Sequence, residues 1–218
     1  MATAIDPAGR RIRIELRRVA QRVPPADCVL DLGSGRAPYA DLFRHHRYIT
    51  ADLMADADVR CYASLLPFVS GAFDLVLCTE LLEHVPDPDA VLKEICRVLA
   101  ADGNCVLTIP LTWGVHQSLD FHRWTEMGLR QLLARHHLRV ISLAPRGGIF
   151  VTLGSMLQMV PWQLFGGAAE RAAWQTMLYV VTYGLLLVPA LVLATLDGLD
   201  RRHDFTHGYV VLCQPGSS

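Results

Sequence analysis

Short apolar runs alternate with amphipathic segments as far as residue 143, and this alternation limits the fold more than any other feature of the sequence. Residues 28–32, 73–78 and 105–109 are rich in Val, Leu and Ile, which is typical of buried strands. Residues 8–22 and 89–100 carry apolar side chains at helical spacing. Strands alternating with helices predict a parallel sheet with helices on both faces. Further strands are predicted at 48–51, 138–143 and 208–213, and further helices near 37–45 and from Thr125 to about 137.

The composition fits a folded domain with an additional apolar segment. Of the 218 residues, 52% are hydrophobic and 19% are charged, which excludes a disordered chain. The net charge of −1 gives no general attraction to nucleic acid, so no nucleic-acid partner is predicted. Six cysteines without a Cys-x-x-Cys pair indicate reduced thiols and hence a cytoplasmic protein.

A glycine turn follows the first predicted strand. Asp31 precedes Gly33, Ser34 and Gly35, and a Gly-x-Gly sequence at such a turn lets the backbone approach a ligand closely. A dinucleotide site would need a third glycine where this chain has Pro38, and the Asp31 carboxylate would repel a phosphate. The acidic residue instead favours a cationic or hydrogen-bond-donating ligand.

A second acidic residue, Asp52, ends the next predicted strand. A carboxylate at this place can accept hydrogen bonds from both hydroxyls of a ribose. S-adenosylmethionine is a nucleoside with a positive centre and no phosphate, so it matches both acidic residues. The alternative is that the glycines mark an ordinary turn and that Asp52 only caps a helix.

Four motifs occur in order over residues 28–110, and together they resemble the class I S-adenosylmethionine-dependent methyltransferases. They are residues 29–35 with the glycine turn, Asp52, the Leu-Pro-Phe run at 66–68 with the strand from Phe73, and the run Glu-Leu-Leu-Glu-His-Val-Pro-Asp at 80–87. The type 11 methyltransferase domain is the branch with the greatest similarity. The resemblance implies an α/β fold with a Rossmann-like, doubly wound, mostly parallel seven-stranded sheet.

The resemblance also implies where the cofactor lies. The backbone at Gly33 and Gly35 would hold the methionine part, and Asp52 would hold the ribose. The strand end at Thr79 and Glu80 would face the cofactor.

The adenine side departs from the family pattern. Tyr62 stands where the family often has an acidic residue, so Ala63 and Leu53 are assigned to adenine as backbone and apolar contacts. His84 is expected to close the pocket; its sequence context lacks the His-Glu-x-x-His order, and no metal is predicted. The predicted cofactor-binding set is Asp31, Gly33, Ser34, Gly35, Asp52, Leu53, Tyr62, Ala63, Thr79, Glu80 and His84.

Polar and aromatic residues follow the strand that ends near Pro110, and they are the candidate acceptor side. The patterns Trp-Gly-x-His at 113–116 and Asp-Phe-x-Arg-aromatic-Thr at 120–125 resemble methyltransferases of bacterial envelope-glycan and secondary-metabolite gene sets. His116 is the predicted general base, with Asp120 orienting it or acting itself. Arg123 would bind an anionic acceptor group or pair with Asp120, and a purely structural His–Asp–Arg arrangement is the alternative. The predicted acceptor contacts are Trp113, His122, Arg123 and Trp124.

Two uncharged stretches, 147–169 and 172–196, contain the apolar residues that exceed those of an ordinary folded domain. The second is long enough to cross a membrane, yet a single crossing would separate the strands at 138–143 and 208–213, which are neighbours in this fold. Residues 147–205 are therefore expected to turn back as an apolar helical insertion before the last strand. The insertion would contact the membrane from the cytoplasmic face, cover the site, or form a homodimer interface. The methyltransferase domain would comprise 1–146 and 206–218.

The functional prediction is methyl transfer from S-adenosylmethionine to a small-molecule acceptor, at an oxygen of a glycan, lipid-linked or natural-product substrate. Carbon or nitrogen methylation of a natural-product intermediate is one alternative. A non-catalytic membrane adaptor that binds the cofactor is another. The expected location is the cytoplasm, at the inner face of the plasma membrane if the insertion binds lipid.

Overall fold

The computed structural model describes residues 7–115, 118–166 and 172–216, which form two compact units. One unit contains Arg13–Ala144 and the segment from Gly208 onward, and it carries the sheet. The other contains Pro145–His207 with the described residues up to Ile12.

The sheet has seven strands in the order β3-β2-β1-β4-β5-β7-β6. The pairs among β1 to β5 are parallel, and β7 runs antiparallel to β5. The predicted mostly parallel seven-stranded fold is confirmed, and the last two strands are neighbours as expected. The strands are β1 Ala26–Leu32, β2 His45–Asp52, β3 Val59–Arg60, β4 Phe73–Thr79, β5 Leu99–Pro110, β6 Leu138–Pro145 and β7 Gly208–Pro215.

Three helices accompany the sheet: α1 Pro7–Ala20, α2 Pro88–Val98 and α3 Glu126–Arg135. The start of α2 is fixed by Asp87, whose carboxylate accepts a hydrogen bond from the Ala90 amide at 3.0 Å. Thr125 caps α3 in the same way. Both helices bury their apolar residues in the core that is built on β1, β4 and β5.

The helix predicted near 37–45 is wrong. Only a single turn, Ala40–Leu42, forms there, and β2 already begins at His45. Ala37 has a φ of 49°, which is outside the helical region, and Pro38 has no amide hydrogen to donate. The connection from β1 to β2 is therefore mostly irregular backbone.

The second unit is built on two apolar helices, α4 Ile149–Phe165 and α5 Ala173–Leu196. They pack against each other, and Gly154 of α4 lies against the backbone of Ala190 in α5. The start of α4 also lies beside the end of α5, since Asp197 accepts hydrogen bonds from the Gly148 and Val151 amides. The pair is thus an antiparallel hairpin, called the apolar hairpin below, and an apolar helical insertion before the last strand is confirmed.

Candidate active site

The parallel strands β1, β2 and β4 end at one edge of the sheet, and predicted cofactor residues lie at their ends. Gly33 comes after β1, Asp52 ends β2, and Glu80 comes after β4. In open parallel sheets, ligands bind at the carboxyl ends of the strands. The fold therefore brings residues from distant parts of the sequence to one edge.

The glycine turn requires glycine at its first position. Gly33 has a φ of 69°, and a Cβ on it would lie 2.8 Å from Cδ1 of Leu81. Gly35 has a φ of 54°, and a Cβ there would meet no atom within 4 Å. The first glycine thus permits close packing, and the second leaves open space above the turn.

Ser34 carries a buried hydroxyl between the two glycines. The residue is 3% exposed, and its Oγ has no hydrogen-bond partner in the described part of the chain. A buried hydroxyl without a partner costs free energy, which a polar ligand atom would recover. The turn therefore fits a ligand with hydrogen-bonding groups.

The carboxylate of Asp52 joins the ends of β1 and β2. Its Oδ2 accepts a hydrogen bond from the Gly35 amide at 3.0 Å, and its Oδ1 accepts from the Met54 and Ala55 amides at 2.7 and 2.9 Å. Partial burial would raise the pKa of Asp52, but these backbone hydrogen bonds outweigh burial and lower it. Asp52 is therefore ionised, with acceptor capacity left on Oδ2 for a ligand hydroxyl.

Asp31 lies deeper, inside β1. Burial raises its pKa to about 6, although the Tyr48 hydroxyl, which donates to Oδ2 at 2.7 Å, acts in the opposite direction. The nearby charge of Asp52 also raises the pKa of Asp31. A cationic ligand at this edge would stabilise the ionised form.

Glu80 is held in an unusual backbone conformation after β4. Its φ is 50°, and its amide donates to Oγ1 and to the carbonyl oxygen of Thr108 at 3.0 and 3.1 Å. The Thr108 hydroxyl in turn donates to Oε1 of Glu80 at 2.9 Å. Thr108 lies within an apolar run and was missed from the sequence; a lone hydroxyl beside the strand end was the only signal for it.

The residues predicted at adenine lie near the surface. Tyr62 is 65% exposed, whereas Ala63 is half-buried against the core. Leu53 is also half-buried, and its carbonyl oxygen accepts a hydrogen bond from Nε of Arg60 at 2.9 Å.

His84 links the turn after β4 to the loop that carries the predicted acceptor residues. Its Nδ1 lies 2.5 Å from the carbonyl oxygen of Leu119, and its Nε2 lies 3.7 Å from a carboxylate oxygen of the buried Glu83. The carbonyl oxygen of Glu83 accepts hydrogen bonds from the Phe121 and His122 amides at 2.8 and 3.3 Å. The turn at Leu82–His84 thus holds the loop that carries the predicted acceptor residues, and Glu83 is a second residue missed from the sequence.

Arg123 organises that loop. It donates to both carboxylate oxygens of Asp120, and it donates to the carbonyl oxygens of Trp113 and Gly114 at 3.1 and 3.4 Å. Of the two roles considered for Arg123, the geometry matches pairing with Asp120. Because both Asp120 oxygens face a guanidinium, a proton-accepting role for Asp120 is disfavoured.

Two aromatic side chains lie beside this pair. The ring of His122 stacks on Trp124 with centroids 5.1 Å apart, and its Nε2 is buried without a hydrogen-bond partner in the described residues. His116, the predicted base, lies outside the described residues. Among the described residues, no group of three His, Cys, Asp or Glu side chains could hold a metal ion.

A family model described as a methyltransferase domain matches residues 7–144, which is more than half of the chain. The chain belongs to the methyltransferase-domain family. The predicted class I S-adenosylmethionine-dependent family is confirmed, with S-adenosylmethionine as its cofactor. The narrower branch and subgroup named from the sequence stay predictions.

Curated relatives of this methyltransferase-domain protein match it over part of their length. A ubiquinone biosynthesis O-methyltransferase of Psychrobacter cryohalolentis is 51% identical over 39 residues, which cover 18% of this chain and 15% of the relative. A ubiquinone/menaquinone biosynthesis C-methyltransferase of Xanthomonas campestris is 33% identical over 106 residues, with 38% of this chain and 42% of the relative covered. The chain thus spans less than half the length of these relatives.

Solved structures share the fold. A Burkholderia thailandensis 1,6-didemethyltoxoflavin-N1-methyltransferase, with bound 1,6-didemethyltoxoflavin and S-adenosylhomocysteine, superposes with a TM-score of 0.57. The alignment covers 94% of this methyltransferase-domain protein and 78% of that chain, at 17% identity. At this identity the likeness shows a common fold.

Proposed function

We propose that this protein transfers a methyl group from S-adenosylmethionine to an oxygen of a small-molecule acceptor. The observation that carries the proposal is the glycine turn Gly33–Gly35, tied to the Asp52 carboxylate at the carboxyl edge of the sheet. The bound cofactor supplies an electrophilic methyl group on a sulfonium, so the protein mainly binds and aligns the reactants.

The residues at this edge fit the parts of the cofactor. Gly35 leaves the space above the turn open, and the buried Ser34 hydroxyl lacks a partner among the described residues. The ionised Asp52 suits ribose hydroxyls, which are hydrogen-bond donors. Asp31 supplies a carboxyl whose ionised form a sulfonium and an ammonium group would stabilise.

The Psychrobacter relative, a ubiquinone biosynthesis O-methyltransferase, favours oxygen as the accepting atom and a quinone precursor as the acceptor class. An oxygen acceptor must lose its proton as the new bond forms, so a base is needed. The Xanthomonas relative, a C-methyltransferase, makes carbon methylation of a related aromatic compound the second candidate.

His116 is the proposed base, and the Asp120–Arg123 pair is proposed to position it. Arg123 holds the carbonyl oxygens of Trp113 and Gly114, shortly before His116 in the chain. The buried and unpartnered Nε2 of His122 makes that ring the second candidate for contact with the acceptor hydroxyl. The Asp120–Arg123 pair therefore acts through loop geometry rather than through proton transfer.

The experiment is a methylation assay with methyl-labelled S-adenosylmethionine and a panel of phenols, catechols and hydroquinones, with mass spectrometry to locate the new methyl group. The parent protein should label an oxygen. His116→Ala should lower kcat by about a hundredfold or more, and the loss should shrink at high pH, where the hydroxyl ionises unaided. His122→Ala should mainly raise KM.

Binding of S-adenosylhomocysteine, measured by calorimetry, is the control for both variants and should stay within about twofold of the parent. A methyl group found on carbon would replace the oxygen proposal with the second candidate. Tight cofactor binding with no labelled product from any acceptor class would favour the non-catalytic adaptor.

A further inference from the structure

The helix α5 exposes apolar surface along its whole length. The most apolar 18-residue window of the segment Ala173–Leu199 has a mean hydropathy of 2.2, yet only 6% of that window is buried. A core helix of a water-soluble protein with this composition would be mostly buried. The large apolar side chains exposed on α5 are Trp174, Met177, Leu178, Val180, Val181, Leu185, Val188, Val192 and Leu196.

The exposed surface is not confined to one face of the helix. Val180 and Val181 are consecutive, so they point about 100° apart, and both are at least half exposed. Helix α4 adds exposed apolar residues of its own, including Leu153, Val160 and Leu164. Monomeric water-soluble proteins rarely expose apolar patches larger than a few hundred square ångströms, so this surface requires a partner.

Threonine hydroxyls of the apolar hairpin form hydrogen bonds with the backbone of their own helix. The hydroxyls of Thr176, Thr182 and Thr195 donate to carbonyl oxygens three or four residues earlier in the chain, at 3.3, 2.7 and 2.7 Å. In α4 the buried Thr152 hydroxyl donates to the carbonyl oxygen of Gly148 at 2.9 Å, whereas Ser155 Oγ and Gln158 Nε2 are buried without a hydrogen-bond partner in the described residues. The hydrocarbon core of a membrane offers no water as a partner, so polar groups there must form their hydrogen bonds within the protein.

The length of the hairpin also fits a bilayer. With a rise of ~1.5 Å per residue, α5 extends over ~36 Å and α4 over ~25 Å, against a hydrocarbon core of ~30 Å. Both ends of the hairpin lead into neighbouring strands, β6 and β7, so its two ends must lie on the same side of a membrane. A two-helix hairpin satisfies this requirement, whereas a single crossing cannot.

The charges at the open end of the hairpin suit an anionic membrane surface. Arg201 and Arg202 are exposed there, beside a single exposed acidic residue of the same segment, Asp204. The acidic Asp197 is buried, where it caps α4 and pairs with Arg11 at 3.2 Å. Arginines close to an apolar segment mark the cytoplasmic side of membranes.

From these observations, we propose that the apolar hairpin inserts into a lipid bilayer containing anionic lipids. A second copy of the chain is the competing occupant. A dimer would cover one face of α5, while the exposed residues extend around it, and bilayer lipid can contact all of them.

Liposome flotation of the full chain tests the proposal, with vesicles of phosphatidylcholine alone and of phosphatidylcholine with phosphatidylglycerol. The parent should float with both, more strongly with the anionic vesicles, and should stay bound in high salt and at alkaline carbonate pH. The combined substitution Val181→Glu, Leu185→Glu and Val188→Glu should lower binding by about a hundredfold or more.

The matched control is Val69→Glu, which alters an equally exposed apolar residue of the sheet-bearing unit and should float like the parent. Because all four positions are exposed, circular dichroism should show every variant folded. The proposal is overturned if the parent stays unbound, or if it is released by salt alone. A detergent-free dimer that the triple variant dissociates, without vesicle binding, would assign the surface to a second copy.

Discussion

Asp31 and Asp52 belong to adjacent parallel strands, yet their surroundings act on their protonation in opposite ways. Asp31 is removed from water inside β1 with one hydroxyl donor, and burial raises its pKa. Asp52 receives backbone amides from two loops, and these lower its pKa. At neutral pH the edge of the sheet thus holds one carboxylate that is stable as an anion and one that a cation would help to ionise.

Replacing Asp52 tests whether its carboxylate binds the cofactor or only stabilises the loops around it. Asp52→Ala removes the acceptor for the Gly35 amide and the proposed acceptor for the ribose, so affinity for S-adenosylhomocysteine should fall by about a hundredfold. The matched control is Asp58→Ala, which also removes a carboxylate that accepts a backbone amide, that of Thr50 at 2.9 Å. The control should bind within about twofold of the parent by calorimetry. Equal losses in the two variants would contradict the assignment of Asp52.

The raised pKa of Asp31 predicts a pH-dependent loss of stability. Between pH 3.8 and about 6 the carboxyl ionises in the unfolded chain but not in the folded protein, so the free energy of unfolding decreases as pH rises. The decrease is about 2–3 kcal/mol and is complete above about pH 6. Asp31→Asn should lack it. Urea unfolding at several pH values measures the difference, and parallel curves for parent and variant would refute the prediction.

At the scale of elements, the contacts that define the apolar hairpin come from residues far apart in sequence. Asp197 caps the start of α4 from beyond the end of α5 and is paired with Arg11 of α1. Gly154 lets the two helices meet, since a Cβ on it would lie 2.9 Å from the carbonyl oxygen of Ala190. The geometry of the hairpin therefore depends on a cap at one end and a small residue along its length.

Two glycines of the hairpin should respond differently to alanine. Gly154→Ala forces a methyl group against the α5 backbone and should destabilise the hairpin by about 1–3 kcal/mol. Gly184→Ala meets no atom within 4 Å and should be neutral or stabilise by up to about 1 kcal/mol, because alanine favours helix. Thermal unfolding in a mild detergent compares them. The same shift in both Tm values would show that the helices do not touch at Gly154.

Across the whole molecule, the spacing of apolar residues predicted most of the strands, and the glycine turn predicted the edge of the sheet where the candidate cofactor residues lie. Both predictions were possible because buried strands and glycine turns are local features of the sequence. The helix near 37–45 was wrong since apolar spacing does not reveal the positive φ of Ala37. The Glu83 carbonyl that holds the acceptor loop and the Thr108 hydroxyl at Glu80 could not be predicted, because both contacts join segments about 30 residues or more apart. Only the folded topology brings those segments together.

The position of β7 between β5 and β6 has a consequence for biosynthesis. β7 is translated after the apolar hairpin. One edge of β5 therefore stays unpaired until the whole hairpin has left the ribosome. An open apolar edge is prone to aggregation, and pairing between segments this distant in sequence is slow. The nascent chain therefore exposes its most apolar segment before the sheet is complete. Early insertion of that segment into a membrane would shorten the time during which this apolar surface could aggregate.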